Sequence, residues 1–261
     1  MTTLRQITTA SWRRYVQQAA NSLARLILPP TCAVCKQAGD LLCPDCRAKL
    51  PRITITLCTR CGRSLNDTTA AYCPRCARQP LLLQQVRTPF FFEEPLSGII
   101  HQLKYNGFFA LAEPIANLMA EAWPEAVDNI DLLIPVPLHE NRQKMRGYNQ
   151  AALLARHLGQ QWGLPVAENS LRRSRHTQPQ VGLSLAERQR NVAGAFVVTD
   201  NIIRGKRVLL LDDVFTTGST LTAATKTLLE AGALFVWGYC AARAMRHQDR
   251  ATLLLTTRPS D

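Results

Sequence analysis

The chain has 261 residues, 46% of them hydrophobic, enough for one α/β domain of about 150 residues and a smaller module beside it. Lys and Arg outnumber Asp and Glu by 31 to 19, and the net charge of +12 favours an anionic partner: nucleic acid, phosphorylated metabolites or an acidic membrane surface. No apolar run is long enough to span a bilayer and none forms the core of a secretory signal, so a cytoplasmic location is expected.

The first 28 residues carry Arg5, Arg13, Arg14 and Arg25 and no acid. Trp12, Tyr15, Val16, Ala19, Ala20, Leu23, Leu26 and Ile27 recur at helical spacing, which predicts a basic amphipathic helix over residues 1–30. Such a helix either packs on the body of the protein or meets a membrane surface or partner.

Residues 31–80 read as a cysteine module. Eight of the nine cysteines form four pairs of one spacing: Cys32/Cys35, Cys43/Cys46, Cys58/Cys61 and Cys73/Cys76. Two thiolates two residues apart on a tight turn chelate one metal, and a second pair completes a tetrahedron. Pro44, Gly62 and Pro74 suit such turns. Disulfides are the competing account, but they fit an odd cysteine count poorly. Two structural Zn²⁺ ions are expected. Sequential closure joins the first two pairs and the last two, while a cross-brace would join the first and third. Arg47, Lys49, Arg52, Arg60, Arg63, Arg75 and Arg78 surround the pairs, either as a nucleic-acid contact or as solvated side chains. Cys240 stands apart in the apolar stretch Leu234 to Ala242 and reads as a buried core residue.

A larger domain is expected over residues 85–245, with 246–261 as a tail. Phe90–Phe92 reads as a strand, followed by a turn at Pro95–Gly98 and the helix-like stretch that carries His101, Lys104 and Tyr105. Asp131 to Pro137 reads as a strand entering a rigid turn. Arg142 and the string Arg146-Gly147-Tyr148-Asn149-Gln150 follow it. Between residues 141 and 190 there are nine Lys/Arg and two acids, so much of the surplus charge lies there. Further on, Val208 to Leu211 is a continuous apolar run, as in a strand buried on both faces of a parallel sheet. It ends in Asp212 and Asp213, then a loop of Thr216, Thr217, Gly218, Ser219 and Thr220. A helix with Leu221, Ala224, Leu228 and Leu229 follows, then Gly232 and a strand from Leu234 to Tyr239. Backbone N–H groups of such a loop converge on a phosphate, aided by the helix dipole, and Gly218 permits close approach. The acid pair either accepts hydrogen bonds from two ribose hydroxyls or holds a hydrated Mg²⁺. A P-loop would need a lysine that this loop lacks.

Val208 to Thr220, VLLLDDVFTTGST, resembles the 5-phosphoribosyl-1-diphosphate (PRPP) binding signature of type I phosphoribosyltransferases at every defining position. The order of cysteine pairs, PVPL…RGYNQ block and PRPP loop is similar to that of the ComF family, the competence-associated phosphoribosyltransferase homologues that include GntX-type proteins. The resemblance runs from about Cys32 to Arg243. It implies a type I phosphoribosyltransferase fold, an α/β parallel sheet flanked by helices with a small hood, joined to an N-terminal zinc-ribbon module with four cysteines to each zinc.

By the same resemblance, Asp212, Asp213 and Thr216 to Thr220 bind the ribose and phosphate of PRPP with Mg²⁺. The loop from Pro137 to Tyr148 places Arg142 and Arg146 near the diphosphate. Residues 172–190 correspond to a closing loop, with Arg173, Thr177, Gln178, Arg188 and Asn191 on or beside it. The stretch from Phe90 to Tyr105 forms the hood or its first helix, Lys104 facing an anion or solvent. The activity implied is Mg²⁺-dependent phosphoribosyl transfer to an unnamed acceptor, in DNA uptake for transformation or nutrition. The competing function is a silent scaffold that binds single-stranded DNA and uptake-machinery proteins.

Overall fold

The computed structural model describes residues 29–65, 67, 69–78, 82–123, 128–174 and 194–245. The basic segment 1–28, the residues from 175 to 193 that include Thr177, Gln178, Arg188 and Asn191, and the tail from 246 lie outside the described residues. The chain divides into two compact units, residues 1–49 and 50–261.

In the first unit, Cys32 and Cys35 sit on a turn closed by Lys36 N–H donating to Cys32 O at 3.0 Å, with Lys36 at φ 65°. Cys43 then caps helix α1 (Pro44–Ala48), which carries Cys46. The proline opens the helix because its missing N–H would be unpaired there anyway.

The second unit repeats this pattern. Gly62, at φ 65°, donates to Cys58 O at 2.8 Å, and helix α2 (Pro74–Arg78) carries Cys76. Among the described residues, the chain then enters an all-parallel sheet of five strands. They are β1 (Gln85–Arg87), β2 (Phe90–Phe91), β3 (Leu132–Pro135), β6 (Arg207–Phe215) and β7 (Phe235–Arg243). β7 and β6 form the centre, β3 flanks β6, and β1 and β2 both pair with β7. Leu133 lies opposite Leu209, and Leu209 opposite Trp237. Two further strands, β4 (Leu171–Arg173) and β5 (Phe196–Val198), form a separate antiparallel pair.

Val208 to Leu211 is fully buried, as a strand covered on both faces must be. Helix α7 (Ser219–Glu230) lies over one face, where Leu221, Ala224 and Leu228 meet Val208, Leu210 and Val236. α6 (Gln150–Trp162) packs on β3 and β6, with α4 (Ala112–Ala122) against it. α3 (Leu96–Tyr105) and α5 (Glu140–Arg146) are further described helices of this unit.

Four elements depart from the sequence reading. The strand at Val208 does not stop at Leu211 but runs through both acids to Phe215, because β7 pairs with it as far as Arg243. The Pro137–Tyr148 loop contains α5, capped by His139 Nδ1 accepting from Asn141 N–H at 3.3 Å and ended by Gly147 at φ 82°. Ser97 and Gly98 stand in the first turn of α3 and not in a turn before it. Phe90 and Phe91 join the main sheet through β7, and α3 then brings Lys104 to the carboxyl ends of the strands. Among the described residues no helix is long and apolar enough to cross a membrane.

Candidate active site and metal centres

The thiols cluster sequentially, Cys32, Cys35, Cys43 and Cys46 in one group and Cys58, Cys61, Cys73 and Cys76 in the other, each with all four Sγ atoms within 4.8 Å. Four sulfurs about 2.3 Å from one zinc stand about 3.8 Å apart. The spacings fit: Cys35 Sγ to Cys43 Sγ is 3.6 Å and Cys61 Sγ to Cys73 Sγ is 3.7 Å. The cross-brace is therefore not the arrangement. Four cysteines fill each tetrahedron, so both centres are structural.

The sheet's carboxyl edge opens into a cleft of about 810 Å³. Asp212, Asp213, Thr216, Gly218, Ser219 and Thr220 line it, together with Arg142 and Arg146. Thr217 supports the loop from behind the lining: its Oγ1 lies 2.9 Å from Ser219 Oγ and accepts from Ser219 N–H at 3.4 Å. Gly218 has φ 80°, and a Cβ there would stand 2.9 Å from the Phe215 ring. Only glycine takes this path without strain, and it leaves the N-terminus of α7 open toward the cleft.

The two acids differ sharply in surroundings. Successive side chains on a strand leave opposite faces of the sheet. Asp213 is buried against α3 and α6, where Lys104 Nζ pairs with its Oδ2 and Gln150 Nε2 donates to its Oδ1 at 3.4 Å. Burial alone would raise its pKa, but the Lys104 charge outweighs it and holds Asp213 below the usual carboxylate value. Lys104 is raised in turn, the Asp213 charge overcoming its own burial. Asp212 is half-buried on the cleft wall, and its Oδ1 accepts from Asp213 N–H at 2.9 Å. Shielding by the surrounding protein and the Asp213 charge push it well up. The surroundings thus favour the charged form of Asp213 and disfavour that of Asp212.

The RGYNQ string frames this arrangement residue by residue. Gly147 ends α5, and the Tyr148 hydroxyl donates to Leu103 O on α3. Asn149 caps α6 by accepting from Ala151 N–H at 3.0 Å, while its Nδ2 donates to Val136 O at 3.0 Å. Gln150 bridges the cleft's charges, since Arg146 donates to its Oε1 while its amide faces Asp213. Arg142 and Arg146 sit four apart on α5, and the Arg146 guanidinium lies 5.1 Å from the Tyr105 ring centroid. Arg173, at the end of β4, also lines the cleft. Burial first and Arg142 second depress its pKa, while Asp212 opposes them.

The roles of Lys104 and Gln150 escaped the sequence reading, which left Lys104 between an anion and solvent and gave Gln150 no task. His157 lies in α6 away from the cleft, and Cys240 is fully buried with its thiol pushed well up by that burial. A metal bridging both carboxylates does not fit these residues, because both oxygens of Asp213 already have partners.

Comparison with known proteins agrees with this layout. The double zinc ribbon domain model matches residues 23–77 and the phosphoribosyl transferase domain model residues 143–250. Competence protein F of Haemophilus influenzae is 40% identical over 154 residues, 56% of this chain and 67% of that one. DNA utilization protein YhgH of Escherichia coli is 31% identical over 173 residues, 64% of this chain and 76% of that one. Competence protein ComFC of Bacillus subtilis is 30% identical over 160 residues, 59% and 62% of the two chains. With a double zinc ribbon, a type I phosphoribosyltransferase fold and these relatives, the chain belongs to the ComF family of competence and DNA utilization proteins.

Proposed function

We propose that the cleft is a PRPP site and that the protein works in the uptake or use of DNA, a reading supported by relatives named for competence and DNA utilization. The supporting observation is the delivery of Asp212 and the Thr216–Thr220 loop by β6 into the same cleft as Arg142 and Arg146. The loop and the α7 N-terminus would take the terminal phosphate, Asp212 a ribose hydroxyl, and the two arginines the diphosphate. In transfer, the bond from ribose C1 to the diphosphate oxygen breaks and pyrophosphate leaves. A nitrogen nucleophile of a base or nucleic-acid fragment then bonds to C1 and loses its proton. Positioning and charge stabilisation supply the catalysis, with no nucleophilic side chain required. Were Mg²⁺ to take part, Asp212 is the carboxylate of this chain that would hold it, and the ion would supply charge neutralisation at the departing diphosphate.

The domain boundaries drawn at 30, 80 and 245 and a cytoplasmic location belong to the same proposal. A second reading, a scaffold for single-stranded DNA without turnover, is favoured by the exposed Tyr105, Phe108 and Phe109 rings, with Tyr105 against Arg146. Calorimetry with PRPP, followed by a screen of PRPP consumption against nucleobases, nucleotides and short DNA, separates the two. Binding without consumption leaves the scaffold, and absence of PRPP binding overturns the site.

A further inference from the structure

In the structure Asp213 already has a cation. Lys104 Nζ pairs with its Oδ2, and the two side chains are only 20% and 6% exposed. Its other oxygen accepts from Gln150, whose own carbonyl oxygen is held by Arg146. The lysine comes from α3 and the glutamine from α6, two helices tied together by the Tyr148 hydroxyl on Leu103 O. The ammonium is thus held at Asp213, and the helix that carries it is tied to the RGYNQ block. Mg²⁺ demands near-octahedral oxygen ligands at about 2.1 Å and gives up its waters reluctantly. To bind Asp213 it would have to displace a paired ammonium and break the Gln150 contact in a largely dry corner.

Resting on the PRPP reading above, we infer that Lys104 takes the place of a divalent cation at Asp213, so that the site holds PRPP without metal. Lys104 is then a positioning residue: it keeps Asp213 ionised and the floor of the ribose pocket in shape. Asp212, on the other face of the strand, is left as the carboxylate that meets the sugar.

The test measures PRPP affinity by calorimetry on the zinc-loaded full chain, in Mg²⁺ and in magnesium-free buffer, for wild type and Lys104→Met. Wild type should bind PRPP with affinities within about threefold of each other in the two buffers. Lys104→Met should lose at least about tenfold without Mg²⁺ and recover most of it when Mg²⁺ is added, because Asp213 is then open to the metal. Mn²⁺ alone, followed by water-proton relaxation, should bind in the cleft of the variant and not of wild type. A wild type that needs Mg²⁺ to bind PRPP overturns the inference while leaving the PRPP site intact. Equal metal dependence in wild type and variant overturns it as well. A wild type that binds PRPP in neither buffer removes the PRPP reading itself, and this inference with it. The wild-type comparison decides even if the variant fails to fold. A Lys104→Met, Asp213→Asn double variant, which buries no unpaired charge, should regain the wild-type melting temperature lost in the single one.

Discussion

At the scale of single residues, Gly218 and the acid pair carry the sharpest expectations. Alanine at Gly218 must hold a left-handed backbone and push against the Phe215 ring, so Gly218→Ala should cost about 2 kcal/mol of stability and weaken PRPP binding. Thermal denaturation and calorimetry check the two effects. The acids respond oppositely to pH. Asp213 is held below its ordinary value, so its stabilising contribution is present above about pH 4 and is lost as pH falls through the lower folded value. Asp212 is raised, so the folded state holds its proton more tightly, and stability declines as pH rises from about 4 through the raised value. Asp212→Asn should therefore raise the melting temperature of the ligand-free protein at neutral pH, leave it little changed at about pH 3, and abolish PRPP binding. Scanning calorimetry at several pH values reads the difference.

At the scale of elements, the block that begins α6 holds the cleft together through hydrogen bonds and not through bulk. Asn149→Ala loses the helix cap and the bond to Val136 O, and should cost about 2 kcal/mol in urea denaturation. Asn149→Asp keeps the cap acceptor and should cost about half as much. The β6–loop–α7–β7 unit was legible in the sequence because an apolar run, small hydroxyl residues, helical spacing and a glycine stop follow in order. The extent of β6 was not, since two acids end an apolar run on paper while β7 continues to pair with them in the sheet. β1 and β2 have three and two residues, too few for alternation to show. α5 was hidden by its polar composition, having no buried residue to mark a face. Lys104 precedes Asp213 by more than a hundred residues, and no local pattern links them. The zinc ligands were legible from spacing alone, but their grouping needed the geometry of the sulfurs.

At the scale of the whole molecule, the two zinc centres fall in different compact units. The second belongs to the unit of the sheet, where Val86 N–H of β1 donates to Thr59 O within its knuckle at 3.0 Å. A Cβ on Gly62 would lie 3.3 Å from the Val86 side chain, so knuckle and strand are closely packed. Loss of that zinc, in a Cys61→Ser, Cys73→Ser variant, should lower the melting temperature of the sheet by about 5 °C or more. The matching Cys35→Ser, Cys43→Ser variant should release one zinc and leave that transition in place. Metal content by atomic absorption and scanning calorimetry together check both.

The outward and inward acids also bear on how such a chain can vary through descent. A lysine and an aspartate buried against each other on distant parts of the chain cannot be replaced one at a time without stranding a charge. Among homologues, positions 104 and 213 should therefore change together, a neutral residue at one accompanying a neutral residue at the other. Position 212, which the proposed PRPP site assigns to the ligand, should hold its acid whatever stands at 104.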